Sequence, residues 1–116
     1  MQSVLVVDDE SDIREAVTEL LADEGYQVMN AGDGAEALRK ARAFHPSIVL
    51  LDLMMPGMSG WEFCAERKSD PELRQIPVII LSAVGHAQGL DAALYLEKPF
   101  ELADLLSAVK THARAA

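Results

Sequence analysis

Apolar residues fall along this chain in two alternating patterns, short unbroken runs and longer spaced sets. Val4-Leu5-Val6-Val7 and Ile48-Val49-Leu50-Leu51 are aliphatic runs with no polar position inside them. Such a run is too short for an ordinary helix and reads as a strand buried on both faces, as inside a parallel sheet. Three further segments read as strands: Tyr26 to Met29, Ile76 to Leu81 and Ala93 to Leu96. Pro77 falls at the start of the second of these, where a missing amide donor is tolerated. The spaced sets lie between. Ile13, Ala16, Val17, Leu20 and Leu21 recur at helical spacing behind Ser11 as cap and Asp12 in the first turn, up to Gly25. Asp33 and Glu36 have the spacing of a capping box and open a helix that turns Ala37, Leu38 and Ala41 inward. Ser59 and Glu62 form the literal S-x-x-E box ahead of Trp61, Phe63, Cys64 and Ala65. A last helix runs from about Glu101 to His112, with Leu102, Leu105, Leu106 and Val109 on one face.

Strands alternating with helices predict an α/β domain, residues 1–116, around a central parallel sheet. Crossovers in such sheets are right-handed, so helices cover both faces. One connection breaks the pattern. Only ten residues separate Ser82 from Ala93, and a parallel crossover needs about 10–12 including its helix. Val84 to Ala92 has little helical periodicity, so a stunted or missing fourth helix is expected there.

Ligands bind at the carboxyl ends of the strands in an open parallel sheet. The first strand ends in Asp8-Asp9, the third in Asp52, the fourth in Ser82-Ala83, and Glu97-Lys98-Pro99 follows the fifth. Taken alone, Asp52 reads as the start of the turn-rich loop Leu53 to Gly60. Together these residues meet at one edge. Carboxylates about 4 Å apart at an effective dielectric of ~20 repel by roughly 4 kcal/mol per pair. A hard divalent cation with oxygen ligands such as Mg²⁺ answers that repulsion, and Lys98 adds a further positive charge. A site neutralised in this way admits a phosphoryl group, and a carboxylate is a competent nucleophile towards one.

Composition narrows the classes. The chain has 116 residues, half of them hydrophobic, with 10 Lys and Arg against 19 Asp and Glu, for a net charge of −9. That balance and the absence of a Lys/Arg run exclude direct nucleic-acid binding. No stretch reaches the roughly 20 apolar residues of a membrane span, and Val4 to Val7 is too short for a signal peptide. The single cysteine, Cys64, permits no internal disulfide, in keeping with a cytoplasmic location. His45, His86 and His112 read as solvated, Cys64 as a small hydrophobe, Trp61 as packing on the domain, and the methionines from Met29 to Met58 as core and loop filling.

Val4-Leu5-Val6-Val7-Asp8-Asp9-Glu10, Leu50-Leu51-Asp52-Leu53-Met54-Met55-Pro56, Ser82-Ala83 and Tyr95-Leu96-Glu97-Lys98-Pro99-Phe100 together resemble the receiver domain of two-component response regulators. The resemblance covers essentially the whole chain. It implies a flavodoxin-like sheet in the order 2-1-3-4-5 with five helices. It implies that Asp52 accepts a phosphoryl group from a histidine kinase, a phosphotransfer protein or a small phosphodonor. Mg²⁺ would be held by Asp9, Asp52 and the Met54 backbone carbonyl, with Asp8 acting mainly through water. Ser82 and Ala83 would meet the phosphoryl group, Lys98 would pair with it, and Tyr95 would be the switch aromatic that turns inward. The Lys98-Pro99 bond would be cis. Downstream, an unidentified protein partner would read the switched state.

Two departures from the family follow. The segment from Ser82 to Lys98 is more than a helical turn short, which predicts a rearranged output face. Met54 and Val84 are both apolar at positions that influence water access to the acyl phosphate, which predicts slow self-dephosphorylation. Rival functions fit less well. An aspartyl-phosphate phosphohydrolase needs an acid where Met54 stands. A docking-only receiver would have lost part of the Asp8-Asp9, Asp52 and Lys98 set. A nucleotide or flavin binder needs a glycine-rich loop after the first strand, where Asp8-Asp9-Glu10-Ser11 would repel phosphate.

Overall fold

A computed structural model describes residues 2–82 and 92–114 of the chain. In chain order the elements are β1 (Ser3–Val7), α1 (Ser11–Asp23), β2 (Gln27–Ala31), α2 (Gly34–Phe44), β3 (Ile48–Asp52), α3 (Gly60–Ser69), β4 (Val78–Ser82), β5 (Leu94–Glu97) and α4 (Leu102–His112). The five strands form one parallel sheet in the order β2-β1-β3-β4-β5. The expectation of a stunted helix after Ser82 concerns residues 83–91, which lie outside the described residues.

The aliphatic runs do what their pattern demands. Alternate residues of a strand face opposite sides. Leu5, Val7, Val49, Leu51, Val78 and Ile80 pack with residues of α2 and α3, including Leu38 and Phe63. Val4, Val6, Ile48, Leu50, Ile79 and Leu81 pack with Val17 and Leu21 of α1 and Leu105 and Val109 of α4. Every residue of β3 and β4 is buried. Each such aliphatic side chain contributes roughly 1.5–3 kcal/mol of transfer free energy. This two-sided core makes β3 a rigid mount for whatever its last residue carries.

Helix starts follow the capping residues with two corrections. Ser59 accepts from the Glu62 amide and Glu62 reaches back to Ser59, a complete capping box. Asp33 accepts from the Glu36 amide at 2.8 Å, but the Glu36 carboxylate turns to the Gly32 amide, also at 2.8 Å. Glu10, not Ser11, is the N-cap of α1, and no side chain caps it. The Asp8 carboxylate holds the Glu10 amide at 2.9 Å, and the Glu10 carbonyl accepts from the Arg14 amide, so the helix is launched one residue early. Gly25 follows α1 at φ +94, a left-handed position suited to glycine.

Interior boundaries drift by a residue or two: β2 ends at Ala31 rather than Met29, β4 spans Val78–Ser82, and β5 is shifted to Leu94–Glu97. Ala16 and Trp61, expected inward, are exposed, Trp61 by 41%. Met54, read as filling, is 57% exposed.

Candidate functional site

The register of the sheet assembles the site. β1 and β3 pair Val7 with Leu51, so the next residues, Asp8 and Asp52, emerge side by side. β3 and β4 pair Asp52 with Leu81, which puts Ser82 one step further along the same edge. β4 and β5 pair Ser82 with Glu97, and the Lys98 amide donates to the Ser82 carbonyl at 2.7 Å. The Lys98-Pro99 peptide is cis. Carboxylate oxygens of Asp8, Asp9 and Asp52 lie within 4.8 Å of one another.

Asp8 is fully buried and uses both oxygens: one accepts from the Glu10 amide and the other from Lys98 Nζ, each at 2.9 Å. Lys98 Nζ is also 3.4 Å from Glu10 and 3.7 Å from Asp52 Oδ1. Asp52 is buried and accepts from the Met54 amide at 3.3 Å. Asp9 is exposed. Lys98 thus pairs with three carboxylates, those of Asp8, Glu10 and Asp52, while Asp9 adds a further negative charge beside Asp8 and Asp52.

The titration of Asp52 registers that imbalance. Burial, then the negative charge of Asp8, pushes its carboxyl up from 3.8 to about 6, against the pull of Lys98 and the Met54 amide. Burial pulls the Lys98 ammonium down, yet the hydrogen bond and charge of Asp8, with Asp52 and Glu10, leave it raised overall. A divalent cation among the carboxylates would relieve the repulsion, and the all-oxygen donor set of Asp8, Asp9 and Asp52 suits hard Mg²⁺ rather than a soft metal.

Of the other predicted residues, Ser82 is buried at the end of β4 and Tyr95 lies on β5 with 40% of its surface exposed. Ala83 and Val84 lie outside the described residues. Three residues escaped the sequence reading, Glu10 and Arg14 beside the site and Arg67 at the opposite edge of the sheet. Glu10 joins the Lys98 ion pairs. Arg14 donates from α1 to the Asp8 carbonyl at 2.6 Å and so ties the backbone at Asp8 to the helix. Arg67, buried in α3, donates to the Ile76 carbonyl at 2.8 Å and the Arg74 carbonyl at 3.0 Å, fixing the entry to β4. The helical set of α1 points to Arg14 only through its partly inward position. Nothing in the polar tail Glu66-Arg67-Lys68 marks Arg67.

A parallel 2-1-3-4-5 sheet with acidic groups along its carboxyl edge defines the flavodoxin-like class, whose sites lie at that edge. Residues 4–110 match the family described as the response regulator receiver domain, and the chain belongs to that family. It is 39% identical to Protein PilG of Pseudomonas aeruginosa over 94% of this chain and 85% of that protein. CheY4 of Vibrio cholerae, a chemotaxis protein, superposes with a TM-score of 0.89 at 32% identity, covering 97% of this chain and 98% of that one. The response regulator TrrA of Thermotoga maritima, solved in complex with Mg²⁺–BeF, superposes with a TM-score of 0.84 at 37% identity, covering 96% and 98%. Longer DNA-binding response regulators match at 36% identity, and the chain spans about half, 52%, of their length. Among the described residues no helix is long and apolar enough to cross a membrane.

Proposed function

We propose that this domain is a phosphorylation-operated switch in which Asp52 is the phosphoacceptor. The observation that carries the reading is the register that sets Asp52 beside Asp8, with Lys98 Nζ 3.7 Å from Asp52 Oδ1. A carboxylate oxygen of Asp52 attacks phosphorus, the phosphorus–nitrogen bond of a donor phosphohistidine breaks, and the leaving imidazole keeps the electron pair and takes up a proton. With acetyl phosphate the departing group is acetate. The product is an acyl phosphate on Asp52.

Asp8, Asp9, Asp52 and the Met54 backbone carbonyl would hold Mg²⁺, with Asp8 acting mainly through water. When bound, the ion neutralises the carboxylates and the incoming phosphoryl oxygens. Lys98 exchanges its present carboxylate partners for the phosphoryl group. Ser82 and the backbone of Ala83 meet its remaining oxygens, and Tyr95 moves inward with Ser82. Phosphorylation acts by favouring one of two conformations, so a downstream partner must bind them unequally. The domain assists its own phosphorylation and dephosphorylation and otherwise performs no turnover.

The donor is a histidine kinase or phosphotransfer protein. A groove of about 560 Å³ between α1 and the start of α4, lined by Ile13, Ala16, Phe100 and Leu102, shares Glu10 and Lys98 with the acid cluster. Its apolar floor supports docking of a donor helix next to Asp52. The net charge of −9 argues against direct nucleic-acid binding by this domain. A cytoplasmic location belongs to the same reading and rests on the family.

Intact-mass spectrometry after incubation with acetyl phosphate and Mg²⁺ tests the proposal. The expected result is one added phosphoryl group, not gained when EDTA is present from the start and absent in Asp52→Asn. A mass unchanged with acetyl phosphate and with any histidine-kinase donor overturns it.

A further inference from the structure

The loop from Leu53 to Ser59, which carries the Met54 carbonyl, is held near both ends by the first amide of a helix. The first amides of a helix have no acceptor within it and are ordinarily met by a cap or by water. Here Gly60, first in α3, donates to the Leu53 carbonyl at 3.1 Å, and Gly34, first in α2, donates to the Met58 carbonyl at 3.0 Å. Neither position has room for a side chain. A Cβ on Gly60 would stand 2.5 Å from the Asp52 carbonyl oxygen and 2.6 Å from Leu53 Cα. A Cβ on Gly34 would stand 2.8 Å from the Met58 carbonyl oxygen and 2.7 Å from Met58 Cγ.

Gly60 directly follows the loop it grips. Gly34 does not: it belongs to α2, none of whose residues joins the acid cluster. The turn that presents Gly34 is itself fixed, by the Glu36 amide on Asp33 and the Gly32 amide on Glu36. A contact this close, on a braced helix end, dictates where the tip of the loop can lie.

We propose that Gly34 is a positioning residue for the metal site. Through its amide on the Met58 carbonyl and its lack of a Cβ, it sets the course of the loop that carries the Met54 carbonyl. The inference rests on the Mg²⁺ reading of the preceding subsection. A methyl at residue 34 pushes Met58 away, moves the loop and weakens Mg²⁺ binding without touching a carboxylate. Changes to groups that support metal ligands weaken affinity by about 10- to 100-fold.

The test is an NMR amide-shift titration of the full chain with Mg²⁺, for wild type, Gly34→Ala, Asp33→Ala and Gly25→Ala. Circular dichroism confirms folding of each. Gly34→Ala is expected to lose about 10-fold in Mg²⁺ affinity, and its residue-34 amide to lose hydrogen-exchange protection in metal-free protein. Asp33→Ala, which frees the first turn without adding volume, is expected to lose a smaller factor. Gly25→Ala strains a left-handed residue with open space around it, so it is expected to lose stability and keep wild-type affinity. A folded Gly34→Ala with wild-type affinity overturns the inference. Should Gly34→Ala fail to fold, wild-type affinity in Asp33→Ala overturns it instead. A wild-type protein that takes up no Mg²⁺ overturns the underlying metal reading, and this inference with it.

Discussion

At the amino edge of the sheet, neighbouring segments are joined by neutral hydrogen bonds. The Ser3 amide donates to Ser47 Oγ at 3.2 Å, Gln2 Nε2 to the Arg114 carbonyl at 2.9 Å, and the Arg114 amide to the Ser47 carbonyl at 3.1 Å. At the carboxyl edge, the strands β1 and β3 end in Asp8 and Asp52, and a single ammonium, Lys98, holds Asp8 at 2.9 Å. The same core lies between the two edges. The amino edge therefore holds no like charges that need compensation, whereas the carboxyl edge gathers carboxylates that repel one another. Like charges gathered on a rigid mount persist because β1 and β3, which present them, are paired with each other and buried from Val4 to Val7 and from Ile48 to Asp52.

If that contrast is right, substitutions at the acid edge should respond to pH and Mg²⁺, and those at the amino edge to neither. The largest effect is expected from Lys98→Met. Removing one partner of a buried ion pair leaves the Asp8 charge uncompensated and should cost about 3 kcal/mol of folding stability at neutral pH. Mg²⁺ should restore part of it, as thermal unfolding with and without the ion would reveal.

Next is Asp52→Asn, with the opposite sign. The folded state raises Asp52 from 3.8 to about 6, so it holds that proton more tightly than the unfolded chain does. Stability from this group is present at low pH and lost as pH rises through that window. Above it the penalty is of order 1–3 kcal/mol. Asp52→Asn should therefore raise the unfolding temperature at neutral pH, and the gain should vanish below 3.8. An equal gain at both pH values would contradict the electrostatic account.

Ser47→Ala removes the acceptor of the Ser3 amide and should cost about 1 kcal/mol, unchanged by pH or Mg²⁺. The smallest effect belongs to the exposed pair of Lys110 and Glu24 at 3.1 Å. Lys110→Ala should cost about 0.5 kcal/mol or less and should lose even that at high salt.

Buried strands were legible in the sequence because nothing polar interrupts them: the run Val4 to Val7 falls within β1 and Ile48 to Leu51 within β3. Buried β4, whose apolar run opens with Ile76 and Pro77, starts two residues later than expected, and the edge strands β2 and β5 drifted by up to two residues. They are only partly buried, so solvent on one side leaves the pattern of Gln27–Ala31 and Leu94–Glu97 loosely constrained. Asp8, Asp9, Asp52 and Lys98 could be grouped in advance because parallel pairing brings strand ends to one edge. Glu10 could not, since the expected cap at Ser11 hid that the Asp8 carboxylate pulls the chain into α1 one residue sooner. Gly34 and Arg67 act through backbone carbonyls, Met58 in one case and Ile76 and Arg74 in the other. A carbonyl is common to every residue, so such contacts leave no trace in side-chain chemistry.

The central claim is that the sheet register makes Asp52 the one carboxylate that takes the phosphoryl group. Borohydride reduction of the phosphorylated protein converts an aspartyl phosphate to homoserine, and peptide mapping by mass spectrometry then locates it. Homoserine at position 52 alone is the predicted result. Homoserine at position 8 or 9, or at none of the three, would contradict it.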